Sequence, residues 1–287
     1  MLKPALLLAL AAISATRLWA WGDQGHELIG KAAQERLAGT KALATIQKWF
    51  GGPVDFAKLA TCADNIRGAQ RNGSVRPDCL LSAAEVKALP PTENWHHMNL
   101  VVPPVAGQTP AQALAAAAAQ NPPRVVAKIE EVIKQLSNKK LKDHDRAVAL
   151  MWLLHFGGDI HQPLHAVARN NDKGGNDVTV SLVPGARGLN LHSVWDSTIL
   201  RSIQDPEAKV KAAITPAMAS KLKPSDWALE SWTLAQTVVY KGVRVPSGKD
   251  DVVQLTQQYI TDGQPVVIKR LAEAGVRLAE IIKKNVK

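Results

Sequence analysis

One eleven-residue segment, HFGGDIHQPLH at residues 155–165, constrains this chain more than any other feature. It follows an apolar run and holds three histidines and an aspartate. His155 and Asp159 are four residues apart and therefore share one face of a helix. Pro163 lacks the amide that would continue that helix, so the chain turns there and directs His165 elsewhere. The segment predicts a buried helix that carries metal-ligand side chains and ends in a turn.

The same spacing recurs in NLHSVWD, where His192 and Asp196 are four residues apart. Each His-x-x-x-Asp pair projects an imidazole and a carboxylate toward one point, as a helical metal site requires. A lone histidine on an apolar helix is more often a core residue bonded to a carbonyl, and His144 in KDHDR fits that description. Six of the eight histidines, however, stand beside acids or tryptophan in short motifs, which favours a joint role: His26, His96, His97, His155, His165 and His192.

The hydropathy pattern predicts a mainly α fold. The 287 residues, 46% of them hydrophobic, are enough for one sizeable core in a single domain. Apolar positions spaced by three and four predict helices at residues 27–37, 125–136, 146–154, 227–239 and 266–282. Strand-like segments are few, at 99–103 and 177–183, and the turn residues around the second predict a small β-hairpin.

The first twenty residues have the pattern of a secretory signal peptide: a basic Lys3, a short apolar stretch and a small residue, Ala20. A membrane anchor is the alternative, but the apolar stretch is too short to span a bilayer. We expect cleavage after Ala20, a secreted or periplasmic chain of residues 21–287, and no membrane association once processed. In an oxidising compartment Cys62 and Cys79 could pair; a zinc-ligand role is the alternative for them.

The chain is basic, with 35 lysines and arginines against 25 aspartates and glutamates. A positive field favours polyanionic partners such as nucleic acid or anionic lipid. Solvated helix faces can account for much of this charge, so charge alone does not identify the partner.

Seven motifs resemble those of the zinc-dependent single-strand-specific nucleases of fungi, plants and bacteria, which share a helical fold with bacterial zinc phospholipase C. The resemblance covers essentially all of residues 21–287. It implies a mainly α protein, a single helical domain of the phospholipase C/nuclease type with a small β-hairpin. The motifs are WGDQGH (21–26), CADNIR (62–67), NWHHMN (94–99), HFGGDIHQPLH (155–165), GGND (174–177), NLHSVWD (190–196) and WALES (227–231).

The resemblance implies three Zn²⁺ ions at the bottom of a cleft. One would be held by Asp64, His96, His155 and Asp159; a second by His165, His192 and Asp196; and a third by His26, the α-amino nitrogen and carbonyl oxygen of Trp21, and Asp159 as a bridge. A free amine has an unperturbed pKa near 8, and a nearby dication can hold it unprotonated around neutrality. Signal cleavage would then help to assemble the site. The alternative for Trp21 is an ordinary aromatic residue at the start of a helix.

The implied function is that of a secreted trinuclear zinc phosphodiesterase acting as a monomer. Its substrates would be single-stranded DNA and RNA, cut to 5′-phosphate products, and 3′-nucleotides. A hydroxide shared by two zinc ions would attack the phosphorus in line, with Asp64 orienting the hydroxide or taking its proton. Arg67 would hold a phosphate oxygen; a surface salt bridge is its alternative role.

In the fungal and plant members an aromatic residue and an aspartate stack on and bond a base. This chain has other residues at those two positions, which can change its base preference. They are His97 and Asn99, and both can still contact a base. Asn176 matches a nucleotide-contacting position, and the glycines before it leave the backbone room for a close approach.

Two other functions stay open. The shared fold and the positive charge permit a zinc phospholipase C, although that branch has glutamate at the position of Asp196 and lacks the DNIR and GGND contexts. A non-enzymatic zinc-binding helical protein is the third possibility, but it would leave Asp64 and Arg67 without a purpose beyond structure.

Overall fold

The computed structural model describes residues 21–119, 124–184, 188–248 and 250–287; the expected signal segment lies outside these ranges. The fold is mainly α, as predicted. The described helices are α1 Gly22–Leu37, α2 Lys41–Trp49, α3 Phe56–Ala60, α4 Cys62–Asn72, α5 Ala83–Ala88, α6 Pro110–Ala118, α7 Val125–Ser137, α8 Asp143–Asp159, α9 Leu191–Ser193, α10 Ile199–Arg201, α11 Pro206–Ala213, α12 Pro224–Leu234 and α13 Gln257–Asn285. The described strands are β1 Leu100–Val102, β2 Val167–Arg169, β3 Thr179–Ser181, β4 Leu189–Asn190 and β5 Val253–Gln254.

The helix α8 lies at the centre of the fold. Every residue from Ala149 to Asp159 is buried, as expected of a helix that is covered on all sides. It packs against α7, α3, α1 and α13, and α1 in turn packs against α13. The last turn of α8 therefore brings His155 and Asp159 into the protein interior, where side chains from other segments can meet them.

The chain turns after α8, as Pro163 predicts, but the helix already ends at Asp159. Proline offers no amide to the Asp159 carbonyl, and the amide of Gln162 donates to it instead at 2.9 Å. A 3-10 turn, Pro163–His165, follows. This tight reversal places His165 beside the segment that carries His96.

The described strands form two small sheets. Strand β1 pairs in parallel with β2, with Leu100 opposite Val167. The predicted hairpin is present: β3 pairs antiparallel with β4, with Thr179 opposite Asn190. Strand β5 joins the hairpin in parallel beside β3. Just before β1, the Met98 amide donates to the His165 carbonyl at 2.7 Å. This hydrogen bond joins the segment that carries His96 to the segment that carries His165.

The two cysteines are paired. Cys62, the first residue of α4, forms a disulfide with Cys79, so the alternative of zinc ligation by these sulfurs is excluded. The bond fastens the start of α4, which carries Asp64, to the segment that leads into α5. Among the helices in the described ranges, none combines the length and apolar composition that crossing a bilayer requires.

Two helical segments continue with π-helical turns, at Val194–Thr198 and Ala235–Val239. The first joins α9 to α10 and contains Asp196. Such turns are rare in proteins, and those that occur are often found at functional sites. His192 and Asp196 remain in contact across the turn, at 3.3 Å between Nε2 and Oδ2.

Candidate metal centre

Three groups of histidine and aspartate side chains meet at the end of α8. Within each group the candidate ligand atoms lie within 4.8 Å of one another. The groups are His26, Asp64 and His155; His96, His155 and Asp159; and His165, His192 and Asp196. All eight side chains predicted as ligands are therefore brought together by the fold, and their binding of metal stays a prediction.

Different elements supply these side chains. His26 lies on α1, and Asp64 lies in the first turn of α4. His155 and Asp159 lie at the end of α8. His96 and His165 lie in two separate 3-10 turns, and His192 and Asp196 lie in the helical stretch that begins with α9. Gly158 allows His26 to approach, because a Cβ there would lie 2.9 Å from the ring.

Asp159 contacts histidines from all three groups. Its Oδ2 lies 3.0 Å from Nδ1 of His96 and 3.2 Å from Nε2 of His155. Its Oδ1 lies 3.4 Å from Nε2 of His26 and 3.8 Å from Nδ1 of His165. Burial acts to raise the pKa of Asp159, but the electrostatic interactions with His155 and His165 outweigh it and hold the pKa well below its ordinary range. An ionised carboxylate in this position is suited to bridging two cations.

Backbone carbonyl oxygens fix the orientation of three histidines. Nδ1 lies 2.7 Å from a carbonyl oxygen in His155 (Ala60), His165 (His96) and His192 (Gly174). A carbonyl oxygen only accepts, so each Nδ1 carries the hydrogen and each Nε2 presents a lone pair. This is the arrangement that metal-binding histidines ordinarily show.

The lone pairs face one another. Nε2 of His165 lies 3.1 Å from Nε2 of His192, and burial lowers the pKa of His165 well below its ordinary range, so the His165 ring is neutral at neutral pH. Two facing lone pairs repel unless a cation lies between them. Within the described residues, several buried atoms here also make no hydrogen bond: both ring nitrogens of His26, Nε2 of His96, Oδ1 of Asp159 and Oδ2 of Asp196. The donor set therefore fits Zn²⁺, which takes nitrogen and oxygen ligands.

Trp21 is buried at the start of α1, and its ring contributes to packing. Its Nε1 donates to the carbonyl oxygen of Gly158 at 2.9 Å, one residue before Asp159. The next residue, Gly22, lies against Ser197, because a Cβ at Gly22 would be 2.6 Å from the Ser197 hydroxyl. The backbone at Trp21 thus lies between the end of α8 and the Asp196 region. A metal-ligand role for its amino group stays a prediction.

Arg67 pairs with Asp64, at 2.8 Å between Nη2 and Oδ1. The arginine side chain is 16% exposed and the aspartate side chain 5%. A solvated surface salt bridge therefore does not describe this pair. Arg67 follows Asp64 by one helical turn, so its guanidinium contacts a candidate ligand and is positioned to balance negative charge there.

The predicted base-contacting residues lie at different depths. His97 is half-buried, and desolvation together with the charge of Arg124 lowers its pKa to about 4, so the ring is neutral at neutral pH. Asn99 is also half-buried, one residue before β1. Asn176 is exposed, and its side-chain amide donates to the Lys173 carbonyl at 2.9 Å. Asn176 is therefore the most exposed of the three.

The glycines before Asn176 pack closely against other parts of the protein, and the predicted approach of a nucleotide stays a prediction. Gly174 has a positive φ of 62°, and a Cβ there would lie 2.3 Å from the carbonyl oxygen of Leu164. At Gly175 a Cβ would lie 3.2 Å from Leu191. The room around them is thus taken by the protein itself. These glycines allow the loop to pack on the 3-10 turn and to present the carbonyl that orients His192.

Gln162 was not predicted as a functional residue, yet it lies within the centre. Its Nε2 donates to Oδ1 of Asp196 at 2.6 Å, and its Oε1 accepts from the Leu164 amide at 2.5 Å. Its position in the motif, between candidate ligands and before a proline, is the signal that could have revealed it.

His161, the third histidine of the motif, points away from the metal groups. Its Nδ1 donates to the Gly157 carbonyl at 2.6 Å, and Nε2 accepts from Arg277 at 3.0 Å. Desolvation and the charges of Arg270 and Arg277 hold its pKa well below the ordinary range. This histidine is a neutral core residue, as the carbonyl-bonded alternative describes.

The WALES motif supports the turn after α8. The Ser231 hydroxyl donates to the Ile160 carbonyl at 2.6 Å, and Nε of Arg270 donates to the His161 carbonyl at 3.0 Å. Glu230 accepts from Arg270 at 2.7 Å and from Arg277 at 2.6 Å. This buried network ties α12 and α13 to the segment that carries the ligands.

Comparison with known proteins gives a consistent result. A family model described as S1/P1 Nuclease matches residues 21–287. Endonuclease 2 of Arabidopsis thaliana is 27% identical over 292 residues, which cover 93% of this chain and 90% of that protein. Endonuclease 1 of the same plant is 33% identical over 155 residues, 47% of this chain and 48% of its own. Nuclease S1 of Aspergillus oryzae (strain ATCC 42149 / RIB 40) is 26% identical over 156 residues, 46% of this chain and 52% of its own.

Proposed function

We propose a function from one premise: this chain belongs to the S1/P1 nuclease family. We infer that it is a zinc-dependent phosphodiesterase that cleaves single-stranded DNA and RNA to 5′-phosphate products and also acts on 3′-nucleotides. The observation that carries this inference is the facing pair of Nε2 atoms of His165 and His192, 3.1 Å apart, next to buried carboxylates. A protein interior holds such an arrangement when a cation belongs to it.

The proposal assigns three Zn²⁺ ions to the centre. Asp64, His96, His155 and Asp159 would hold one; His165, His192 and Asp196 a second; and His26, Trp21 and the bridging Asp159 a third. Zinc bound there supplies Lewis acidity, which lowers the pKa of water and polarises phosphoryl oxygens.

The protein side chains supply positioning and charge. Asp64 orients the attacking water and accepts its proton, and its pairing with Arg67 at 2.8 Å keeps the carboxylate in place. Arg67 also binds a phosphate oxygen, because a guanidinium carries five N–H donors and binds phosphate with several hydrogen bonds at once. The neutral ring of His97 stacks on a base, and the amides of Asn99 and Asn176 bond its edge.

The proposal extends to processing. Residues 1–20 act as a signal peptide, and residues 21–287 form one zinc-dependent nuclease domain that is secreted or periplasmic and works as a monomer. The Cys62–Cys79 disulfide supports this view, because such bonds persist in oxidising compartments.

The test is to measure zinc content together with hydrolysis of single-stranded DNA, single-stranded RNA, a 3′-nucleotide and phosphatidylcholine. We expect hydrolysis of single-stranded DNA, single-stranded RNA and the 3′-nucleotide. Activity should be lost in chelator and recovered with zinc. Chelator should also lower the melting temperature, because metal binding contributes folding free energy. Asp64→Asn should lower turnover by about 100-fold or more, whereas Asp145→Asn, an exposed acid in the first turn of α8, should not.

Two results would contradict the proposal. Hydrolysis of phosphatidylcholine without cleavage of single-stranded DNA or RNA would favour a phospholipase. A purified chain that contains no zinc and melts at the same temperature in excess chelator would rule out the metal centre itself.

A further inference from the structure

A cavity of about 330 Å³ opens beside Arg67, on the side of the metal centre formed by α4. Its walls are the outer face of α4, the helix α5 and residues 89–93. Arg67 contributes to this cavity and also pairs with Asp64. Arg67 therefore links the cavity to Asp64 of the proposed reactive centre. The volume of the cavity falls within the range of about 300–1,000 Å³ that ligand sites occupy.

The shape of the cavity is fixed by Gln70. Its Nε2 donates to the carbonyl oxygens of Pro90, at 3.0 Å, and Leu89, at 3.4 Å. Its Oε1 accepts from the amide and the hydroxyl of Thr92, at 3.0 and 2.9 Å. One side chain thus holds the whole 89–92 segment against α4. The walls are preformed, which reduces the ordering that a ligand would otherwise have to impose.

More positive than negative side chains line the cavity. Arg67 and Arg71 are four residues apart on one face of α4, and Lys87 faces them from α5. Glu93 is the one acid among the lining residues, and it pairs with Arg71 at 3.0 Å. Both side chains of that pair are more than 60% exposed, so their attraction is weak. Arg71 can therefore share its donors with an anionic ligand.

Apolar side chains form the remaining wall. Val86 is buried, and Leu89 and Pro91 line the cavity beside it. A cavity lined by both cations and apolar side chains suits a ligand in which a phosphate is covalently joined to a flat, less polar group. A nucleotide unit in a single strand has both.

We propose that this cavity binds the part of a single strand next to the phosphodiester held at the metal centre. Arg71 and Lys87 contact the phosphates, and Val86, Leu89 and Pro91 contact the sugar or base. This inference rests on the proposed nuclease function and deepens it, because it gives the enzyme a preference for strands over mononucleotides.

The test measures binding of a fluorescent ten-nucleotide phosphorothioate thymidine strand to the zinc-loaded protein at several salt concentrations. Each phosphate contact contributes about 0.7 to the slope of log affinity against log salt for a single strand. Arg71→Gln with Lys87→Gln should therefore reduce the slope by about 1.4 and weaken binding roughly tenfold at 0.1 M salt. Glu93→Gln should change affinity in the opposite direction, because it removes the competing carboxylate.

A matched control removes the same charge elsewhere. Lys134→Gln with Lys139→Gln changes two exposed lysines on and after α7 and should leave the slope unchanged. In steady-state assays the Arg71 and Lys87 variant should lose more kcat/KM on the ten-nucleotide strand than on a 3′-nucleotide.

The outcomes separate the two proposals. If the wild type cleaves single strands but both double variants alter the slope equally, or Glu93→Gln weakens binding, the cavity is not a strand subsite. If the wild type neither binds nor cleaves single strands, the proposed function itself has failed.

Discussion

The side-chain amide of Gln162 donates a 2.6 Å hydrogen bond to Oδ1 of Asp196. The other carboxylate oxygen, Oδ2, is left 3.3 Å from Nε2 of His192. Burial raises the pKa of Asp196 to about 7, and the electrostatic interaction with His192 and the Gln162 hydrogen bond act against that rise. Gln162 therefore both orients this carboxylate and favours its ionised form, which is the form that binds a cation.

Gln162→Leu should weaken zinc binding by the His165, His192 and Asp196 group by about 10- to 100-fold, the usual cost of losing a partner of a ligand. The measurement is zinc retained per chain during titration with a competing chelator. Gln258→Leu, at an exposed position on α13, is the control. A variant that melts at a lower temperature but retains zinc as firmly as the wild type would show that Gln162 acts only in packing.

The sequence was sufficient to predict the parts of the centre that depend on local spacing. His155 and Asp159 lie on one helix, so their joint orientation follows from helical geometry alone. The end of α8 was expected because Pro163 cannot supply an amide. The hairpin was predicted because its turn residues are local to it.

Tertiary contacts decided what the sequence did not show. His161 has the same residue type and neighbourhood as the candidate ligands, and its hydrogen bond with Arg277, 116 residues away, helps to make it a core residue. Strands β2 and β5 are too short for a hydropathy pattern and exist because β1 and β3 offer them edges. The role of Gly174 depends on Leu164, which the chain brings close only after the turn.

The Cys62–Cys79 disulfide should contribute about 3 kcal/mol to the free energy of unfolding, since it closes a loop between residues 17 apart. Cys62→Ser with Cys79→Ser should lower that free energy in urea titrations by this amount, and reductant should lower the wild-type value to match. The double variant, unlike the wild type, should not respond to reductant. An unfolding curve of the wild type that is the same with and without reductant would contradict the prediction.

Glu230 should stabilise the fold in a pH-dependent way. Burial acts to raise its pKa, but the hydrogen bond from Arg277 and the charge of Arg270 outweigh it and lower the pKa to about 2. A lowered pKa in the folded state gives stability that is complete above the unfolded pKa, about 4.3, and is lost as the pH falls toward 2.

Glu230→Gln should therefore lower the melting temperature most above pH 5, and the difference from the wild type should shrink between pH 4.5 and 2. Loss of zinc in acid affects both proteins and cancels in the difference. Glu207→Gln, at an exposed acid on α11, serves as the control and should show a small difference throughout. A Glu230→Gln difference that stays constant with pH would mean that the carboxylate charge is not what stabilises the network.

The last prediction concerns the amino group of Trp21. The Trp21 ring is held by the Gly158 carbonyl, beside Asp159, and Gly22 abuts Ser197, beside Asp196. If the mature chain begins at Trp21, its amine starts from this confined position and can serve as a zinc ligand. One additional residue before Trp21 converts that amine to an amide, which is a poor donor to zinc. The added residue also needs space between the end of α8 and the segment around Asp196.

A form that keeps a methionine before Trp21 should therefore bind about one zinc fewer and lose most of its activity on single-stranded DNA. Two ions can be retained, one assigned to Asp64, His96, His155 and Asp159 and one assigned to His165, His192 and Asp196, because none of these side chains depends on the chain terminus. The two forms are compared by mass spectrometry of the N-terminus, zinc per chain and turnover, with removal of the methionine by an aminopeptidase expected to restore both quantities. Equal zinc and equal turnover in a form verified to carry the extra residue would leave Trp21 with its packing role alone, since its ring hydrogen bond to Gly158 does not require a free amine.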